Sequence, residues 1–212
     1  MKKVWMIIGL LFISFVGQAQ NDAKAVKILN KLSNQLHSYK NIYTEFKYNL
    51  INKDAGVSQE TKGRLSIEGN KFHAVYMGVD DIFDGTKRYQ IIHENEEVNI
   101  VSHKDDDAFT PNKIFSFYDK GYQQKMDIKK KVGGRVIQYI RLIPKNTDSS
   151  EKFVLLGIDI KANHIYDAIL TEKNGSLITI KITKFITNQV IPSKLFQFQK
   201  LKYPDYYINE LD

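Results

Sequence analysis

The sequence predicts a mainly β protein, folded as one long antiparallel meander with two helices set against it. Three observations carry that expectation. Tyr and Phe occur 12 times each among 212 residues, against 4 Pro, a composition that favours strands over disorder. From Asn41 onward apolar residues recur with a period of two, the pattern of a half-buried strand. Turn dipeptides, Asp84-Gly85, Gly133-Gly134, Ala162-Asn163 and Asn174-Gly175 among them, punctuate the alternating runs.

The one long stretch with helical period comes first. Asn21 or Asp22 can cap a helix over 22–39, in which Val26, Leu29, Leu32, Leu36 and Tyr39 share a face and Lys24, Lys27 and Lys31 lie mostly opposite. Strand runs follow at 42–51, 61–68, 71–77, 87–93, 97–103, 122–130, 135–143, 153–161, 165–172, 177–185 and 195–199, about eleven in all. In the first run Phe46, Tyr48 and Leu50 share a side; in the second, Gly63, Leu65 and Ile67 do. Thr110-Pro111 starts a short inserted helix, with Thr as cap and Pro in the first turn; Ile114, Phe117 and Tyr118 line one side and Gly121 closes it. A meander this long must curl or close to hide its edges. A curled sheet has an apolar concave side that two amphipathic helices can cover. They either fill it as ordinary core or roof a cavity, and the pattern alone leaves both readings open.

The amino terminus predicts export. Met1-Lys2-Lys3 is basic, Val4 to Val16 carries no charge, and Gly17-Gln18-Ala19 supplies small residues at the spacing a signal peptidase reads. Residues 1–19 are therefore expected to be a cleaved signal peptide, and 20–212 a single domain, long enough to bury a core. A retained anchor helix is the alternative, but the run is short for a bilayer. The chain has no cysteine, so neither a lipid-modified amino terminus nor a disulfide is available. The expected location is the periplasm.

Of 31 basic and 24 acidic residues, loss of Lys2 and Lys3 leaves 29 against 24. The cations are scattered apart from Lys129-Lys130-Lys131, which leads into a Gly133-Gly134 turn, so no nucleic-acid partner is expected. The modest positive balance suits contact with anionic lipid or an acidic protein face. Among His37, His73, His93, His103 and His164 no pair has metal-ligand spacing on a helix, and no metal or cofactor is expected. Asp105-Asp106-Asp107 lacks the glycine and distal glutamate of a calcium loop. Asp80-Asp81 and Glu94, Glu96 and Glu97 read as solvated turns. Without a nucleophile elbow, a phosphate-cradling loop or a cysteine nucleophile, the chain reads as a binding protein, not an enzyme.

Several short motifs recur in one order: Ile42-Tyr43-Thr44-Glu45-Phe46, Gly63-Arg64-Leu65-Ser66-Ile67, Asn70-Lys71-Phe72, Asp84-Gly85-Thr86-Lys87, Glu97-Val98, Thr110-Pro111 before a short helix, and a closing Phe196-Gln197-Phe198. In that order and spacing the chain resembles the outer-membrane lipoprotein carrier proteins of the LolA family, over essentially the whole of 20–212. The resemblance implies an open antiparallel half-barrel of about eleven strands with a helical lid over an apolar cavity. It implies a monomeric carrier whose cargo is the acyl chains of lipoproteins, received from an inner-membrane ABC-type releasing complex and passed to an outer-membrane acceptor. One departure stands out. The family's lid-latching arginine before the Asn-x-Phe strand is absent, because Glu68-Gly69-Asn70 is one residue shorter, and Arg64 alternates away from Leu65 and Ile67.

On that reading Phe46, Tyr48, Leu50, Leu65, Ile67, Phe72, Ala74, Val98 and Ile100 form the acyl-binding cavity. Val26, Leu29, Leu32, Leu36, Ile114, Phe117 and Tyr118 form the lid. Plain core packing is the competing role for each residue taken singly. Two other functions compete for the whole: a half-barrel that senses lipid or envelope stress without transport, and a hydrolase with paired acids or histidines inside the concavity.

Overall fold

A computed structural model describes residues 22–102 and 121–211. The leader 1–19, the inserted helix with Ile114, Phe117 and Tyr118, and Asp105–Asp107 lie outside the described residues.

Helix α1 spans Ala23–Ser38, and the Asp22 carboxylate caps it by accepting the Lys24 backbone N–H at 2.8 Å. Its face of Ala25, Leu29, Leu32 and Leu36 is buried, and its lysines are exposed. The strands are β1 (Asn41–Asn52), β2 (Val57–Glu68), β3 (Lys71–Tyr76), β4 (Val79–Phe83), β5 (Lys87–Ile92), β6 (Glu97–Ser102), β7 (Tyr122–Val132), β8 (Arg135–Pro144), β9 (Glu151–Asp159), β10 (His164–Glu172), β11 (Leu177–Thr187) and β12 (Tyr207–Leu211). They form one open sheet in the order β12-β6-β5-β4-β3-β2-β1-β11-β10-β9-β8-β7, a half-barrel that does not close. Two hairpin meanders, β1 to β6 and β7 to β11, are joined where β1 pairs with β11.

The fold is the mainly β half-barrel that the sequence predicts, with local corrections inside the first meander and in the carboxy-terminal segment. The run 195–199 is no strand. Ser193–Phe196 forms a 3-10 turn after Pro192, and Phe196 is buried. The last strand is β12, which lies parallel to β6 and caps that edge of the sheet. A strand at Val79–Phe83 went unexpected because its two acids mimic a loop. Met77-Gly78, both at positive φ, make the turn that admits it. Asp80 and Asp81 are therefore strand residues, not a solvated turn, and Asp81 is 2% exposed.

Residues directly opposite in a ladder share a face, so the register sorts the sheet into two sides. The helix face carries α1, whose leucines pack on Ile42, Ile140, Leu142, Val154, Leu156 and Ile158. Each fully buried leucine contributes about 1.5–3 kcal/mol. Farther along the same face, Ile67, Phe72 and Phe83 cluster with Leu65 and Ala74. The back face has its own core: Ile82, Ile91, Val98 and Ile100 lie under Phe198, Tyr203 and Tyr206 of the carboxy-terminal segment.

Candidate functional site

The helix face is only partly covered. Helix α1 packs over β7 to β10 and the foot of β1, and its buried cluster stops at Ile42 on β1. Beyond it, Phe46, Tyr48 and Leu50 continue along the same side of β1 as half-buried residues. Their ladder partners on β11 are Ile182, Ile180 and Ile178. Ile178 and Ile182 are half-buried, and Ile180 is 37% exposed. On β2 the neighbour of Phe46 is Gly63. A Cβ there would lie 2.3 Å from the Phe46 ring, so the tip of the ring occupies the space a side chain at Gly63 would need. The result is an apolar floor two strands wide beside the helix, extended toward β3 by Leu65, Ile67, Phe72 and Ala74.

The bulge between β1 and β11 builds this floor. Thr44 faces Phe185, but Phe46 faces Ile182, so Thr183 is the extra residue. An extra residue reverses the side-chain parity along its strand. It puts Phe185 and the three isoleucines on one face, although they differ in sequence parity. That is why sequence alternation exposed the β1 half of the floor and missed Ile178, Ile180 and Ile182. The isoleucines were visible as an alternating run, but their side was not.

Helix α1 packs beside this floor as a side wall. Leu29 and Leu32 are 0% exposed and Leu36 is 2% exposed, all within the packed core, with Val26 half-buried alongside. Polar contacts pin its carboxy-terminal end. The Tyr39 hydroxyl donates to His164 Nε2 at 2.6 Å, and Gln35 Nε2 donates to that hydroxyl at 2.6 Å. Asn163 Nδ2 donates to Gln35 Oε1 at 2.7 Å and to the Lys31 carbonyl at 3.1 Å. Burial holds the His164 imidazole below its ordinary pKa, which favours the neutral ring. A hollow of about 240 Å3 lies at this end, between Leu36, Tyr39, Ile42 and Ile67. That is below the roughly 300–1,000 Å3 of small-molecule sites.

The floor ends at a buried ion pair. Asp81 pairs with Ala74 in the ladder, and Arg88 with Phe83, so both belong to the helix face. The Asp81 carboxylate accepts from Arg88 Nε at 2.8 Å and from Nη2, and this bonding raises the guanidinium's pKa further. No local pattern announces this pair, because its members stand seven residues apart across a hairpin that the alternation hid.

Two expected cavity residues belong elsewhere. Val98 and Ile100 were grouped with Phe72 and Ala74 for their apolarity, but the register carries them to the back face, opposite Ile91 and Tyr89. Strands β5 and β6 turn their apolar side outward because the carboxy-terminal segment covers it there. Arg64 also lies on the back face, as its alternation with Leu65 predicts. The titratable clusters with close contacts on that side, His73–Asp80–His93 and Tyr139–Asp167, stand apart from the floor.

An open half-barrel carrying an apolar floor walled by a packed helix defines a LolA-like binding fold. The pattern of the outer membrane lipoprotein carrier protein LolA family matches residues 37–199. The chain is a member of that family. No curated protein sequence matches it. Among solved structures, it is similar to a conserved protein from Thermus thermophilus, at 10% identity and a TM-score of 0.57, over 89% of this chain and 99% of that one. It is also similar to a LolA superfamily protein from Nitrosomonas europaea, at 10% identity and a TM-score of 0.43, over 82% and 97% of the two chains. MucB of Pseudomonas aeruginosa, solved in complex with MucA, matches at 12% identity and a TM-score of 0.40, over 84% and 62%.

Proposed function

We propose that the protein is a periplasmic carrier that holds lipoprotein acyl chains on the apolar floor of β1 and β11, with α1 as its side wall. In this reading it takes cargo from an inner-membrane ABC-type releasing complex and gives it to an outer-membrane acceptor. It performs no catalytic step. The observation that supports this most is the set Phe46, Tyr48, Leu50, Ile178, Ile180 and Ile182. These are large apolar side chains on one face that α1 leaves half open.

The energetics suit the task. An acyl chain of a dozen methylenes costs about 10 kcal/mol to leave in water at ~0.8 kcal/mol per methylene. A floor that shields part of each chain recovers part of that cost and still permits release. Cargo lies beside α1 and does not lift it, because lifting the helix would expose three buried leucines and break the Gln35–Tyr39–His164 contacts.

The test is release of acylated lipoprotein from spheroplasts with and without the purified protein, alongside binding of a fluorescent fatty-acid probe. Release together with probe binding supports the carrier. Probe binding without release reduces it to a lipid-binding half-barrel with no ferrying role. Failure of both removes the acyl-chain reading.

A further inference from the structure

The back face of the sheet carries a cation array that the carrier reading does not use. Lys62, Lys47 and Lys181 are direct ladder partners across β2, β1 and β11. In the next row Arg64, Glu45 and Lys184 are partners. All five cations are exposed. Like charges placed directly opposite destabilise a sheet, and here three stand in line. Three carboxylates stand among them: Glu60 at 3.5 Å from Lys47, Glu45 at 3.2 Å from Lys184 and bonded to Tyr43, and the buried Asp167, the ladder partner of Lys181 on β10. Among the described residues no carboxylate lies within 4 Å of Lys62, Arg64 or Lys181. Five cations against three carboxylates, one of them buried, leave the array net positive.

The same face carries an exposed apolar tip. The carboxy-terminal segment that covers Ile82, Ile91 and Val98 places Leu201 at 96% exposure between the exposed Lys200 and Lys202. This tip lies beyond the residues that match the family pattern, which end at 199. An exposed leucine flanked by lysines is the composition of a shallow interfacial anchor.

We propose that the back face docks onto an anionic phospholipid bilayer, the lysine array supplying the attraction and Leu201 a shallow anchor. An acidic protein partner fits less well. Lysines are depleted at protein interfaces, which rely on buried aromatic and arginine anchors. A row of solvated lysines on a flat ladder instead suits a diffuse layer of lipid phosphates, each lysine strengthening binding about fivefold near such a surface. Docked this way the protein keeps its helix face, with the apolar floor, turned away from the headgroups and open. Membrane docking and acyl-chain carriage use opposite faces, so neither depends on the other.

The experiment is co-sedimentation of the exported, purified protein with vesicles of phosphatidylcholine alone and with 30% phosphatidylglycerol. The wild type is expected to bind the anionic vesicles, to ignore the neutral ones, and to be released as salt shortens the screening length. The Lys47→Gln, Lys62→Gln, Lys181→Gln triple variant should partition about a hundredfold less, and Leu201→Ser severalfold less. Both should keep the wild type's circular dichroism spectrum and melting temperature, which reports that they are folded. Equal binding to both vesicle types, or an unchanged triple variant, overturns the proposal. So does binding of poly-glutamate by the wild type in place of vesicles, which would assign the face to an acidic protein.

Discussion

Whether α1 is wall or lid can be decided by comparing two truncations. Leu32 is 0% exposed, inside a cluster with Ile140, Leu142, Val154, Leu156 and Ile158. Leu32→Ala removes buried methyl groups and leaves a cavity that a β-sheet floor cannot collapse, a loss of about 3 kcal/mol. In a chain of this size that lowers Tm by about 6–12 °C. Ile180, 37% exposed, has no such surroundings, and Ile180→Ala should cost about 1 kcal/mol or less. Ligand binding should reverse the order. Ile180→Ala removes floor that an acyl chain covers and should weaken a fatty-acid probe about fivefold, whereas Leu32→Ala, measured well below its Tm, should leave affinity within about twofold. Thermal melts followed by circular dichroism and probe titrations read both quantities. If Leu32→Ala cost less than about 1 kcal/mol, or tightened the probe tenfold, α1 would be a cover in competition with cargo, and its assignment as a wall would be refuted.

Three further outcomes follow from the same geometry. Gly63→Ala should destabilise by about 1–3 kcal/mol and weaken the probe, because its methyl group displaces the Phe46 ring from the floor; denaturant melts and probe titration check this. Asp81→Ala should cost about 3 kcal/mol by leaving the Arg88 guanidinium without its carboxylate, while Asp81→Leu with Arg88→Met should recover most of the loss in urea unfolding. His164 makes stability pH-dependent. Its folded pKa lies below the unfolded value of 6.5, so the unfolded chain binds more protons between the two. Its contribution is complete above about 6.5 and falls as pH drops toward the folded value, and His164→Gln should flatten that part of the stability–pH curve.

How far the sequence spoke differs from strand to strand. Period-two alternation sorted Phe46, Tyr48 and Leu50 to one side of their strand and Leu65 and Ile67 to one side of theirs, the family resemblance joined them with Phe72 and Ala74, and the ladders keep all seven on one face because β1, β2 and β3 are regular hairpins without an extra residue. It failed where tertiary cover decides which side is inside. Val98 and Ile100 alternate as well as any pair, yet their partners Phe198 and Tyr203 lie about a hundred residues on, and nothing local announces them. It failed again at Thr183, since a bulge leaves no composition signal in an Ile-Thr-Lys run. The helix was legible in both extent and face, and the Asp22 cap and the Leu29, Leu32 and Leu36 stripe are where the period put them. What the pattern could not tell was that Gln35, Tyr39 and Asn163 would fasten it, a matter of contacts between residues more than a hundred positions apart.

The seam at the middle of the sheet has a consequence for how the chain reaches this shape. Ile42 finds Thr187 only after everything between them has been made, whereas each meander zips locally through short turns. Joining distant segments carries a loop-closure penalty that local hairpins escape, and slow kinetics accompany it. The apolar floor straddles that seam, so it should be among the last surfaces to assemble during folding. A half-made protein would present its hairpins without the groove, and the ability to hold a fatty chain would arrive together with the native state.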